Sequence, residues 1–256
     1  MVHVKNHPEI TSFDTEYLPY KDAARHMTEL FKDKTQLLLD MNGTFMFGED
    51  QFDDGQDYFQ TYRAMNGELS STNVNEIIRR TYRYLDQRYP LPEYRESFPS
   101  VRQALDVILD EKLAKHEMDN LVSVFTQHEI GDIPVPYQNA LKQLSQKYTL
   151  ALVIDIWSPK QAWLNLFEHY GLSTCFSLAS FSSDHGMVKP SPIPIENLVK
   201  QLQTTKENCL MIGDSIRRDL GAAVNAQIDC VLVGGQQHPQ ALACYDNLLL
   251  LAQKLL

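Results

Sequence analysis

The sequence lacks the cysteine spacing of a disulfide framework. Cys175, Cys209, Cys230 and Cys244 lie far apart, form no CxxC pair and sit mostly in apolar surroundings, so they read as reduced core thiols. It also lacks a basic patch. With a net charge of −10, nucleic acid and anionic membrane surfaces would be repelled, which excludes both as partners. No apolar run approaches the length of a membrane span, and the opening Met1-Val-His-Val-Lys-Asn has no signal-peptide core, so a cytoplasmic location is expected. What is present is ordinary globular material: 43% apolar and 22% charged residues over 256 positions can bury a proper core, as one large domain or a domain with a sizeable insertion.

The chain is organised around Gln36-Leu37-Leu38-Leu39-Asp40-Met41-Asn42-Gly43-Thr44. An apolar run that ends in a carboxylate followed by Asn-Gly predicts a buried strand turning sharply at its tip. In open α/β sheets, ligands collect beyond such carboxyl ends. Alone, the stretch is equally compatible with an ordinary turn and a solvated Asp40.

Before it, residues 1–34 read as an arm and a helix, with Tyr20, Ala24, Met27 and Phe31 at helical spacing. After it, residues 46–133 show no firm strand signal. Helices are predicted over Gly55 to Met65, from a cap at Ser71 or Thr72 up to Pro90, from Ser100, and around Leu121, Val122 and Phe125. Such a segment is too long for a loop and reads as an inserted helical domain, whose many tyrosines are mostly packing residues. The second half alternates. Strands are predicted at 150–157, 175–178, 209–212 and 230–233, with helices at 136–147, 160–170, 194–202 and 218–226, and a helix or strand closes the chain at 248–256. The expected class is α/β: a Rossmann-like, doubly wound parallel sheet from residues 35–45 and 134–256, with the all-helical insertion at 46–133.

A parallel sheet gathers its strand tips on one edge. Asp40 with Asn42, Ser158 and Asp214 stand at three such tips, and Lys189 lies in the loop after the third strand. A nucleophilic carboxylate, a hydroxyl, a lysine and further carboxylates suit phosphoryl transfer, with the lysine and hydroxyl on phosphate oxygens and the carboxylates around a hard cation. Singly, each has a plainer reading as surface cation, helix cap or turn residue.

These residues resemble the haloacid dehalogenase superfamily, aspartate-nucleophile hydrolases that are mostly magnesium-dependent phosphatases. Asp40-Met-Asn-Gly-Thr44 resembles the first motif, Ser158 the second, Lys189-Pro190 the third, and Gly213-Asp214-Ser-Ile-Arg-Arg-Asp219-Leu-Gly-Ala222 the fourth. The resemblance implies that the insertion is a cap over the site. It implies that Asp40 attacks phosphorus to form an aspartyl-phosphate, and that Mg2+ is held by Asp40, the Asn42 carbonyl and Asp214. Asp219 would support the metal or orient Lys189, and Ser158 and Lys189 would hold phosphoryl oxygens. One residue departs from the pattern. The position two after the nucleophile is usually a second Asp, the general acid and base, and here it is Asn42. The expected function is therefore hydrolysis of a small phosphorylated metabolite, slow or restricted to activated leaving groups. The alternatives are a catalytically weak phosphate- and metal-binding regulator, or different chemistry such as dehalogenation.

Overall fold

The structure, a computed structural model, describes residues 30–109 and 111–256. The helix expected near residues 20–32 falls largely outside them. Six strands form one parallel sheet in the order β3-β2-β1-β4-β5-β6: β1 Gln36–Leu39, β2 Thr149–Ile154, β3 Phe176–Phe181, β4 Cys209–Gly213, β5 Asp229–Leu232 and β6 Ala243–Cys244. β1 is central, with Leu37 level with Leu150 on one side and Leu210 on the other. Leu37, Leu38 and Leu39 are fully buried, as a strand covered on both faces requires. The strand order reverses beside β1, where β2 and β4 flank it, and this switch point opens the crevice beyond Leu39.

Between β1 and β2 the chain makes the helices α1 Phe59–Ala64, α2 Ser71–Arg88, α3 Val101–Ile108, α4 Lys115–Glu129 and α5 Val135–Lys147. The first four make the helical insertion, and α5 leads into β2. Ser100 caps α3 in a reciprocal box: its Oγ accepts the Gln103 N–H at 3.3 Å, and Gln103 Oε1 accepts the Ser100 N–H at 2.8 Å. The remaining helices are α6 Gln161–His169, α7 Ser182–His185, α8 Ile193–Gln201, α9 Gly221–Ala226 and α10 Leu248–Leu255.

Several expected boundaries move. β2 ends at Ile154 rather than Trp157, because Asp155 turns out of the sheet and Trp157 joins the aromatic core of the insertion. β3 runs later than 175–178, α2 is capped by Ser70 rather than Ser71 or Thr72, and a wide π-type turn, Ile216–Leu220, precedes α9. The short β6 was not anticipated; two residues leave no period to read.

Asp33–Leu256 form one compact unit. The two connections to the insertion are tied together, the Phe47 N–H to the Asp132 carbonyl and the reverse, both at 2.9 Å. The insertion docks on Trp157, whose ring lies 5.6 Å from Tyr89, 5.7 Å from Tyr82 and Phe98, and 6.4 Å from Phe125, centroid to centroid. These tyrosines are thus packing residues, as expected, with Tyr89 also reaching the site. Cys175, Cys209 and Cys230 are buried free thiols. Among the described residues no helix is long and apolar enough to cross a membrane.

Candidate active site

Asp40 follows the last residue of β1 and is held there because its N–H donates to the Ile212 carbonyl of β4 at 2.9 Å. It is only 6% exposed. One carboxylate oxygen accepts from Thr44 Oγ1 at 3.1 Å, and the other pairs with Lys189 Nζ. Lys189 arrives from the loop between α7 and α8 and is 3% exposed; its ammonium also donates to Asp219 Oδ1 at 2.8 Å. The second Asp219 oxygen accepts the Ser215 N–H at 2.9 Å. Both oxygens of Asp219 are therefore committed, one of them to orienting Lys189. Gly213 makes room for it, since a Cβ there would lie 2.3 Å from Asp219 Cγ.

Asp214, at the tip of β4, completes an acidic group. One carboxylate oxygen from each of Asp40, Asp214 and Asp219 lies within 4.8 Å of the others. Asp214 Oδ1 is buried without a hydrogen-bond partner. Gly43 sets its approach: φ is +71°, and an added Cβ would meet Asp214 Oδ2 at 2.7 Å. We expect Gly43→Ala to cost at least about 1–2 kcal/mol from the left-handed backbone alone and to push Asp214 off the Asp40 loop. Urea unfolding and a magnesium titration read the two effects; unchanged metal affinity would show that Asp214 does not depend on this contact.

Electrostatics follow from crowding. Burial first, then Asp219, pushes the Asp40 carboxyl up to about 7 against the pull of Lys189. For Lys189, burial would pull the pKa down, yet Asp219 and then Asp40 hold it well above the ordinary lysine value, so it stays charged. Asp214 is raised by burial and by Asp219. Asp40 and Asp214 packed this closely, the latter with an unpartnered buried oxygen, fit a divalent cation with oxygen ligands, while Asp219 stays committed to Lys189 and Ser215.

Among the other expected site residues, the side-chain oxygens of Asn42 and Ser158 are both buried without partners. Ser158 is fully buried but outside the Lys189 ion-pair network: its N–H donates at 2.9 Å to Glu129 Oε2, and Glu129 Oε1 accepts from the Trp157 N–H.

A sequence profile described as Haloacid dehalogenase-like hydrolase matches residues 73–233, more than half of the chain. The chain belongs to this hydrolase family. The match begins after Asp40, so the placement of that residue rests on the geometry above. In fold the hydrolase is similar to a 2-haloacid dehalogenase of Pseudomonas syringae pv. Tomato (18% identity, 87% of this chain and 98% of that one, TM-score 0.60). It is also similar to a HAD phosphatase of Thermococcus onnurineus (19%, 87% and 97%, TM-score 0.58). A third likeness is to a putative HAD-hydrolase of Bacillus subtilis in a magnesium-bound crystal structure (17%, 86% and 97%, TM-score 0.52). No curated protein matches the chain significantly in sequence.

The hydrolase's cleft also holds groups that sequence reading missed. Asp155 Oδ2 accepts from Tyr89 OH at 2.7 Å and from the Lys189 N–H at 3.0 Å, which ties the insertion to the lysine loop. Arg218 Nη1 faces Tyr89 OH at 3.4 Å. Glu49 keeps Oε2 buried and unpartnered, and burial and the nearby Asp214 raise its pKa. Asp155 had a signal, as the lone charge inside the apolar run Leu150 to Trp157; Glu129 had none.

Glu129 is 3% exposed, and burial pushes its carboxyl from 4.5 up to about 7 despite hydrogen bonds from the backbone N–H groups of Ser158 and Trp157. The folded protein therefore holds this proton where the unfolded chain releases it. Stability from this group is lost as pH rises from 4.5 to about 7 and is level above, by at most about 1.4 kcal/mol per pH unit. Urea melts across that range should show a shallower slope for Glu129→Gln than for the parent; equal slopes would contradict this assignment.

Proposed function

We propose that this hydrolase is a magnesium-dependent phosphohydrolase that attacks a small phosphorylated metabolite with Asp40. The observation that carries the reading is the convergence of Asp40, Lys189, Asp219 and Asp214 at the switch point of the sheet, with Lys189 bridging two of the carboxylates. Magnesium, held by Asp40, the Asn42 carbonyl and Asp214, would offset the negative charge that otherwise opposes attack on a phosphoryl group.

The chain's own residues divide the remaining work. Asp40 is aimed by Thr44 and Lys189, so its carboxylate is fixed before substrate arrives. Attack forms an aspartyl-phosphate and expels the leaving group; water then attacks phosphorus and frees Asp40. Lys189, kept charged by Asp219, and the unpartnered Ser158 hydroxyl hold phosphoryl oxygens. The insertion, anchored by its aromatic packing on Trp157, would limit water in the first step. Asn42 cannot give the leaving group a proton, so acyl phosphates and other activated esters are turned over faster than alkyl phosphates.

Carbon–halogen hydrolysis by the same nucleophile is the second reading, and the dehalogenase fold likeness keeps it in view. The acidic group at Asp214 favours the phosphoryl reading, because a carbon–halogen substrate gives a metal site no work. A panel of phosphorylated metabolites with and without magnesium tests the proposal. Metal-dependent phosphate release is expected; no release from any compound by protein that binds magnesium would overturn it.

A further inference from the structure

The Arg218 guanidinium is a charged group at the cleft whose role the steps above leave open. It projects from the π-type turn after β4, half-buried, and its centre stands 5.4 Å from the centroid of the Tyr89 ring. It makes no salt bridge among the described residues, although it sits in the field of Asp40, Glu49, Asp50, Asp155, Asp214 and Asp219. Its hydrogen bond to Tyr89 OH is long at 3.4 Å, while that hydroxyl gives its proton to Asp155 at 2.7 Å. The fork is thus braced by a ring and left with most of its donors free. A guanidinium among several acids that pairs with none of them is positioned for an oxyanion from outside.

Its side of the cleft indicates which oxyanion. In the proposed reaction the phosphoryl group is held on the core side, at Asp40 and Lys189, which leaves the insertion side for the leaving group. Arg218 stacks on a ring of the insertion, and the neighbouring Arg217 Nη1 reaches the Pro90 carbonyl at 3.4 Å, so this turn faces the leaving-group side. We propose that Arg218, braced by Tyr89, binds a second oxyanion carried on the leaving group, so that the preferred substrates are small phosphate esters bearing a carboxylate or a second phosphate. The proposal rests on the hydrolase reading of the Asp40 site and adds the substrate class.

Three two-carbon esters of matched length test it on the full chain with magnesium: ethyl phosphate, 2-phosphoglycolate and ethylene glycol bisphosphate. A bidentate charge-assisted contact corresponds to a preference of about 10- to 100-fold, over ethyl phosphate, for one or both esters that carry a second anionic group. The preference should appear in KM more than in kcat. It should collapse toward unity in Arg218→Ala and survive in part in Arg218→Lys, which keeps the charge and loses the fork. Tyr89→Phe should lower it, since the hydroxyl next to the guanidinium is removed. The two esters with a second anionic group separate a carboxylate from a phosphate as the recognised group. The same ratios are read as dissociation constants by calorimetry in Asp40→Asn, with and without Arg218→Ala, where no turnover is needed. Absence of turnover with the binding preference intact would therefore sink the hydrolase reading alone. A ratio near one in the parent, or a ratio that persists in Arg218→Ala, would overturn the role given to Arg218.

Discussion

Asn42→Asp should raise turnover of alkyl phosphates by about 10² to 10⁴-fold, the usual worth of general acid-base catalysis. Asn and Asp have the same shape, and the Asn42 side-chain oxygen is buried without a partner, so the substitution breaks no hydrogen bond seen in the structure. The new carboxyl would stand two residues from Asp40, beside Gly43, which packs against Asp214. Burial and like charges already raise both of those acids, and burial should act on the newcomer in the same direction, toward the protonated form a general acid needs. The gain should be largest for poor leaving groups and smallest for acyl phosphates, which depart without a proton. Steady-state rates on matched alkyl and acyl phosphates measure it. A uniform gain, or none, would mean that protonation of the leaving group does not limit this enzyme.

Asp40→Asn should lower turnover by at least about 10⁴-fold, as loss of a covalent nucleophile does elsewhere. The fold should survive. Removing one partner of a buried ion pair is costly when the other charge is left alone, but Lys189 keeps Asp219 at 2.8 Å, and an amide oxygen can replace one carboxylate oxygen. Thr44 can turn its hydroxyl to accept from the amide in place of donating to Asp40 Oδ2. Near-native unfolding with no turnover is the expected pair of results. Residual turnover close to that of the parent would move the nucleophile elsewhere.

How much of this was legible depended on distance along the chain. β1 and Asp40 could be read because the signal is local: three leucines, then a carboxylate, then Asn-Gly. The shared edge for Asp40, Asp214 and Lys189 followed from parallel topology alone, and the structure brings those three together with Asp219. Ser158 falls in the loop after β2, and its partner Glu129 has no signature in the sequence, since the contact joins the end of α4 to that loop across 29 residues. The link between Tyr89 and Asp155 spans 66 residues and depends on how the insertion docks, which no periodicity encodes. The end of β2 was misplaced because Ile156 and Trp157 continue its apolar run while packing elsewhere; the Asp between them and the strand was the clue. Arg218 lay within the fourth motif, but a residue's neighbours in sequence do not reveal a ring stacked against it.

The central claim is that Asp40 carries a phosphoryl group which water removes by attack at phosphorus. Turnover in heavy-oxygen water, followed by mass spectrometry of both the released phosphate and the peptide containing Asp40, tests it most directly. Heavy oxygen is expected in the inorganic phosphate and none in Asp40. Heavy oxygen in the Asp40 carboxylate would contradict it, because water would then have attacked the carbonyl carbon of an aspartyl ester, as carbon–halogen hydrolysis requires.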